Sequence, residues 1–218
     1  MEIVIILSVI IISYLLGSIS SAVIISKLIS GRDIREEGSG NAGATNMLRV
    51  HGKGAGALTL VIDVLKGVAA ILAAMLFDML LLKIAPESVF CGNLIYVAGF
   101  FVVLGHDFPV FFKFKGGKGV ATSLGVALML NWQIGLIVLV GALAVMLLSR
   151  YVSLGSVAAA VLYPILVLGY MLGEKNFNPI YLICAILLAA LLILKHHANI
   201  ARLSKGTENK LFAGKDKE

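Results

Sequence analysis

IVIILSVIIISYLLGSISSAVIISKL, residues Ile3–Leu28, carries a single charge, Lys27, near its end. A helix needs about 20 apolar residues to cross a bilayer, and this stretch supplies them. It lacks the basic start and small-residue cleavage site of a signal peptide, so it reads as a mature helix. Working outward, further apolar stretches follow at Ala55–Leu81, Val89–Leu104, Val120–Leu130, Ile134–Leu148, Leu154–Leu172 and Pro179–Leu194, each bounded by charge, Gly or Pro. With 60% hydrophobic and 14% charged residues, the pattern predicts an all-α integral membrane protein, a seven-helix transmembrane bundle forming one polytopic domain over residues 1–218. Val120–Leu130 is too short to span by itself. It predicts either a broken fourth span or a Phe108–Lys118 segment dipping into the interface before it. Cys91 and Cys184 have no metal-ligand spacing and read as small apolar packing residues.

An odd number of spans puts the termini on opposite sides. Fifteen of the eighteen Lys and Arg residues then fall on one face: Lys27, Arg32, Arg35, Arg49, Lys53, Lys113, Lys115, Lys118, Arg150, Lys195, Arg202, Lys205, Lys210, Lys215 and Lys217. Lys83 and Lys175 lie on the other, and Lys66 within a span. Basic residues favour the cytoplasmic side, which predicts the N-terminus outside and the C-terminus cytoplasmic. Topology and anionic headgroups account for the net charge of +6, so no nucleic-acid partner is needed.

That same face collects the polar chemistry in three blocks. The first, GSGNAGATNMLRVHGKG (Gly38–Gly54), interleaves glycines with Ser39, Asn41, Thr45 and Asn46 and reads as turns rather than helix. Turning backbone at the mouth of a helix gathers N–H groups into an anion-holding concavity, and Arg49 adds a fork suited to phosphate. The second, GHDFPVFFKFKGGKGVATS (Gly105–Ser123), sets Lys115 and Lys118 among Gly116, Gly117 and Gly119. It is not a nucleotide P-loop, because Phe112 stands where the first glycine is required and Gly119 where Ser or Thr should follow the lysine. A generic anion site before a helix at Val120 remains. In the third, KHHANIARLSKGTE (Lys195–Glu208), His196 and Asn199 share one helical face.

Inside the second span, Asp63 and Lys66 stand three apart and are expected to pair with each other and fix helix packing. Gly17, Gly99, Gly135, Gly141, Gly155 and Gly169 are expected to permit close helix contact. The tight turn at Arg150, Tyr151 and Ser153 is expected to complete the polar surface.

SGNAGATN (Ser39–Asn46), GHDFPVFFKFKGGKGVATSLG (Gly105–Gly125) and HHANIARLSKGTE (His196–Glu208) resemble the three signature regions of the bacterial acyl-phosphate:glycerol-3-phosphate acyltransferases. GSISSA (Gly17–Ala22) and RYVS (Arg150–Ser153) resemble two shorter signatures, so the likeness covers the chain in order. The departures are Ser20 where that family often has Pro, Ala42 at a variable position, and His197 with Ala198 where a charged pair is common.

The resemblance implies a cytosolic active site in the bacterial inner membrane. There an acyl group would pass from acyl phosphate to the 1-hydroxyl of glycerol 3-phosphate, the first acylation of phospholipid synthesis. It implies catalytic roles for His196, Lys115, Ser39 and Asn199. Arg49, Ser153, Asn41, Gly43, Thr45, Asn46, Gly116, Gly117 and Lys118 would hold phosphate or shape the loops that do. The partners would be acyl phosphate, glycerol 3-phosphate and membrane lipid, with no cofactor, no metal and an open oligomeric state that a monomer would satisfy. None of His51, His106, His196 or His197 is separated from an Asp by four residues, so the charge relay of soluble-type acyltransferases is excluded. The proton acceptor stays open between His196 and the substrate's own phosphate. A transporter or channel for a phosphorylated anion is the alternative, though its site would belong near the bilayer midplane between repeated halves. A non-catalytic headgroup binder is the third reading.

Overall fold

The structure, a computed structural model, describes residues 1–211. Lys215 and Lys217 of the basic face, and the end of the domain expected over 1–218, lie outside the described residues. All regular structure among the described residues is helical. The helices are α1 (Glu2–Gly17), α2 (Ser21–Ser30), α3 (Ala44–Ile84), α4 (Leu94–Asp107), α5 (Val120–Leu130), α6 (Trp132–Ser149), α7 (Val152–Gly173), α8 (Pro179–Lys195) and α9 (His197–Ser204).

Five segments among the described residues are long and apolar enough to cross a membrane: Glu2–Ser30, Ala44–Ile84, Leu94–Phe112, Trp132–Ser149 and Val152–Gly173. A sixth, α8 with α9, qualifies if a pair bent by 58° counts as one span. The protein is thus a multi-pass membrane protein. The expected fourth span is α5, continuous but only 11 residues long. Before it, Phe108, Phe111 and Phe114 are exposed, as aromatic side chains are at a membrane interface.

Local chemistry sets the boundaries. Asn178 caps α8 by accepting a hydrogen bond from the Tyr181 amide (3.1 Å) ahead of Pro179, and Asn131 caps α6 through the Ile134 amide (3.0 Å). The first polar block is less irregular than its glycines suggest. Only Gly38–Gly43 is loop, and α3 starts at Ala44 because the next residues contain neither Gly nor Pro and bury Asn46 and Met47. The break comes later, at Gly52 (φ 85°, ψ −176°), a conformation that strongly favours glycine.

The chain divides into two compact units, Met1–Leu130 and a second beginning at Asn131. In the first, α1 packs on α4, and α3 packs on α4 and α5. Both α1–α4 and α3–α5 cross with backbone against backbone. Gly17 lies against the Val102 carbonyl and Gly105 against that of Tyr14, while Gly67 meets the Thr122 carbonyl and Gly125 that of Val64. In lipid, with little hydrophobic drive between helices, such contact supplies dispersion that a side chain would prevent. In the second unit, α7 packs against α6, α8 and α9, with Gly155 against Ala142. Gly169 differs from expectation: a side chain there would meet nothing within 4 Å among the described residues.

Candidate functional site

In the first unit the Gly38–Gly43 loop is organised from beneath by Asn46. Its buried amide donates to the carbonyls of Ile34 (3.1 Å) and Glu37 (3.0 Å), and its Oδ1 accepts from the Ser39 amide (2.8 Å). Three hydrogen bonds to backbone commit this side chain to the loop. Ser39 and Arg49 are exposed above it, while Asn41, Gly43 and Thr45 are half-buried.

The second loop is fastened to the first. The Ala42 carbonyl stands 2.9 Å from the Cβ position of Gly117, so any side chain at Gly117 would separate the two. The Gly117 amide donates to the His106 carbonyl (3.2 Å), and the same Cβ position would strike the His106 ring. Lys115 is exposed; Lys118 and Gly116 are half-buried and Gly117 is buried.

A fastening that the sequence reading did not assign comes from Arg35, in a 3-10 turn Ile34–Glu36. Its guanidinium donates to the carbonyls of Phe112 (2.7 Å) and Lys115 (3.1 Å) and pairs with Asp33 through Nε (2.9 Å) and Nη2 (2.7 Å). The Arg35 hydrogen bond holds the Asp33 carboxyl below the ordinary carboxylate value of 3.8.

Beneath the loops, Asp63 and Lys66 pair at 2.9 Å, as their spacing predicts. The cluster is larger than the pair. Ser21 donates to Asp63 (2.8 Å), Lys66 also donates to the carbonyls of Gly17 (3.1 Å) and Ile19 (3.0 Å), and His106 Nδ1 lies 2.7 Å from the ammonium. Residues from α1 to α4 thus meet on one buried ion pair. His106 carries the cluster directly to Gly117. Only the Asp63–Lys66 spacing was legible in sequence, because the other partners arrive from distant segments.

In the second unit, Ser153 and Asn199 meet on Glu208. Ser153 donates to Oε1 (2.8 Å), Asn199 to Oε1 (2.6 Å), and Arg202 to Oε2 (2.7 Å). The Leu211 amide donates to the Arg150 carbonyl (2.6 Å), so the chain after α9 returns to the α6–α7 turn. Burial alone would raise the Glu208 carboxyl, but hydrogen bonds from Asn199, Ser153 and Arg202 with the Arg202 charge outweigh it, holding the group below its ordinary 4.5. Glu208 was visible at the end of the third block, yet nothing in its spacing announced three donors.

His196 is buried at the bend between α8 and α9. Its Nδ1 lies 2.7 Å from the Leu192 carbonyl. A carbonyl only accepts, which assigns the proton to Nδ1 and leaves Nε2 as the basic nitrogen in the neutral ring. His196 is both the last cap of α8 and the N-cap of α9, where its carbonyl accepts from the Ile200 amide (2.9 Å), and Asn199, three residues on in α9, is buried as well. Among the described residues, no group of three or more His, Cys, Asp or Glu residues is placed to hold a metal.

A model of the glycerol-3-phosphate acyltransferase family matches residues 7–206. The chain belongs to that family. Its relatives include glycerol-3-phosphate acyltransferases of Clostridioides difficile, 45% identical with 95% of each chain covered, and Bartonella henselae, 42% identical with 92% of this chain and 89% of the relative covered. Two solved structures of PlsY (YgiH), an integral membrane glycerol 3-phosphate acyltransferase, are similar throughout. The glycerol 3-phosphate form gives a TM-score of 0.79 at 38% identity and the lysophosphatidic acid form 0.76 at 36%, each with 94% of both chains covered.

Proposed function

We propose that this protein transfers a fatty acyl group from acyl phosphate to the 1-hydroxyl of sn-glycerol 3-phosphate, releasing 1-acylglycerol 3-phosphate and inorganic phosphate. The observation that carries the reading is the pair of glycine loops pinned together beside Lys115, within a chain matched to this family from residue 7 to 206. Residues 1–218 act as one seven-span domain of the bacterial inner membrane, with the N-terminus outside, the C-terminus and polar blocks cytosolic, and α5 as a short fourth span.

The reaction needs little beyond positioning. The acceptor hydroxyl oxygen attacks the acyl carbonyl carbon, the carbonyl-to-phosphate C–O bond breaks, and phosphate leaves with the electron pair. Holding hydroxyl and carbonyl in contact supplies on the order of 7–11 kcal/mol, and one well-aimed donor to the developing oxyanion roughly 3 kcal/mol. Ser39, Arg49, Lys115, Ser153, His196 and Asn199 contact the phosphates; Asn41, Gly43, Thr45, Asn46, Gly116, Gly117 and Lys118 shape and line the loops. The hydroxyl proton passes to the substrate's phosphate or to His196 Nε2.

Purified protein given hexadecanoyl phosphate and glycerol 3-phosphate should release phosphate and lysophosphatidate in equal amounts. Product from acyl thioesters but not from acyl phosphate would overturn the donor assignment, and vesicle uptake without product would favour transport. In the His196→Gln variant, retained maximal velocity with weaker acceptor affinity assigns the proton to the substrate phosphate. Abolished turnover at saturation with binding intact assigns it to His196.

A further inference from the structure

The two backbone carbonyls that Arg35 holds bracket a strained pair of residues. Lys113 (φ 57°) and Phe114 (φ 58°) both adopt the left-handed conformation without being glycine, which L side chains resist. Their own hydrogen bonds are sparse: the Phe114 amide donates to Pro109 (2.9 Å) and the Lys115 amide to Phe112 at a long 3.3 Å. The Arg35 guanidinium closes both ends of this segment, at Phe112 O and Lys115 O, and lies over the Phe112 ring at 5.8 Å. Strained backbone persists where its surroundings over-determine it, and Arg35 supplies two of the hydrogen bonds that do so.

Four of the five guanidinium N–H bonds are committed, two to Asp33 and two to these carbonyls. Asp33 also balances the charge, so Arg35 is poorly suited to bind phosphate itself. Its own position is inherited from α3, since Asn46 holds the adjoining Ile34 carbonyl (3.1 Å). A mechanical line therefore runs from Asn46 through Ile34 and Arg35 to Lys115.

We propose that Arg35 is a positioning residue: it holds Phe112–Lys115 in a strained turn and so sets where Lys115 and the following glycines meet a phosphate. The proposal rests on the reading of Lys115–Gly117 as part of the phosphate-holding site. A lysine cannot replace it, because one ammonium cannot bracket two carbonyls and hold a bidentate carboxylate together.

The test combines kinetics with proteolysis on the full-length protein in detergent. Arg35→Gln should raise KM for hexadecanoyl phosphate or glycerol 3-phosphate about tenfold, with kcat per folded molecule changed less than about threefold. Arg35→Lys should fall between it and wild type. Trypsin should cut after Lys113 or Lys115 faster in Arg35→Gln, with other sites unchanged. Lys113→Gly, which accepts the left-handed turn at no cost, should be nearly silent alone yet recover about threefold of the lost KM in the Arg35→Gln background. Unchanged KM with kcat falling only in step with the folded fraction would overturn the proposal, as would unchanged trypsin cutting or a glycine effect equal in both backgrounds. Absence of product from wild-type protein would instead defeat the acyltransfer reading, and the trypsin comparison would still decide the role of Arg35.

Discussion

The buried Asp63–Lys66 cluster and the Glu208 clasp both place a carboxylate among several donors, yet they constrain different things. Asp63 and Lys66 show 2% and 6% of their side chains and draw partners from four helices. Glu208 is similarly covered, but its ion-pair partner Arg202 is 42% exposed. The first is a knot among helices with no water to replace a lost partner. The second is a latch on a chain end, open to solvent on one side. Removing one ion from the knot strands the other in low dielectric, whereas the latch can rehydrate.

The sharpest way to break the comparison is Lys66→Met, which leaves Asp63 buried without its cation. It should cost about 3–5 kcal/mol, seen as loss of folded, monodisperse protein in detergent. The double variant Asp63→Leu with Lys66→Met should be more stable than Lys66→Met alone, and equal instability would show that the pair does not act as a unit. Next in size, Glu208→Ala removes an acceptor from three donors and should lower stability by about 1–3 kcal/mol, with thermal unfolding as the measure.

The latch should also report pH. Glu208 binds its proton less tightly in the folded protein than in the unfolded chain, so its contribution is present above the ordinary value of 4.5 and lost as pH falls below it. Thermal midpoints of wild type and Glu208→Gln should therefore converge in acid and separate towards neutrality; parallel curves would remove the carboxylate from the account. Smallest is Ser153→Ala, which deletes one of the three donors to Glu208 and should cost about 1 kcal/mol in stability. Because Ser153 is also assigned to phosphate contact, activity should fall further than this stability loss explains; an activity loss only in step with stability would remove Ser153 from the site.

How much of this was legible in sequence follows from how far apart the partners lie along the chain. Five of the spans were readable because hydropathy is local, and α5 begins and ends at the residues its apolar run delimits. The Asp63–Lys66 pair was readable because i,i+3 spacing puts both on one face. Arg35 was not, since it looked like one more cytoplasmic charge until Phe112 and Lys115 arrived from 77 and 80 residues away. Asn46 was expected to shape its loop, but its three backbone partners depend on a helix beginning at Ala44 where glycine content argued for turns.

Gly67 and Gly125 leave α3 and α5 touching main chain to main chain. At these two points no side chain separates the helices, so a shift of α5 along or towards α3 would drive backbone into backbone. The loop feeding α5 at Val120 is thereby anchored to a membrane-embedded girder at one end, and thermal wandering of its rim is restrained before any substrate arrives.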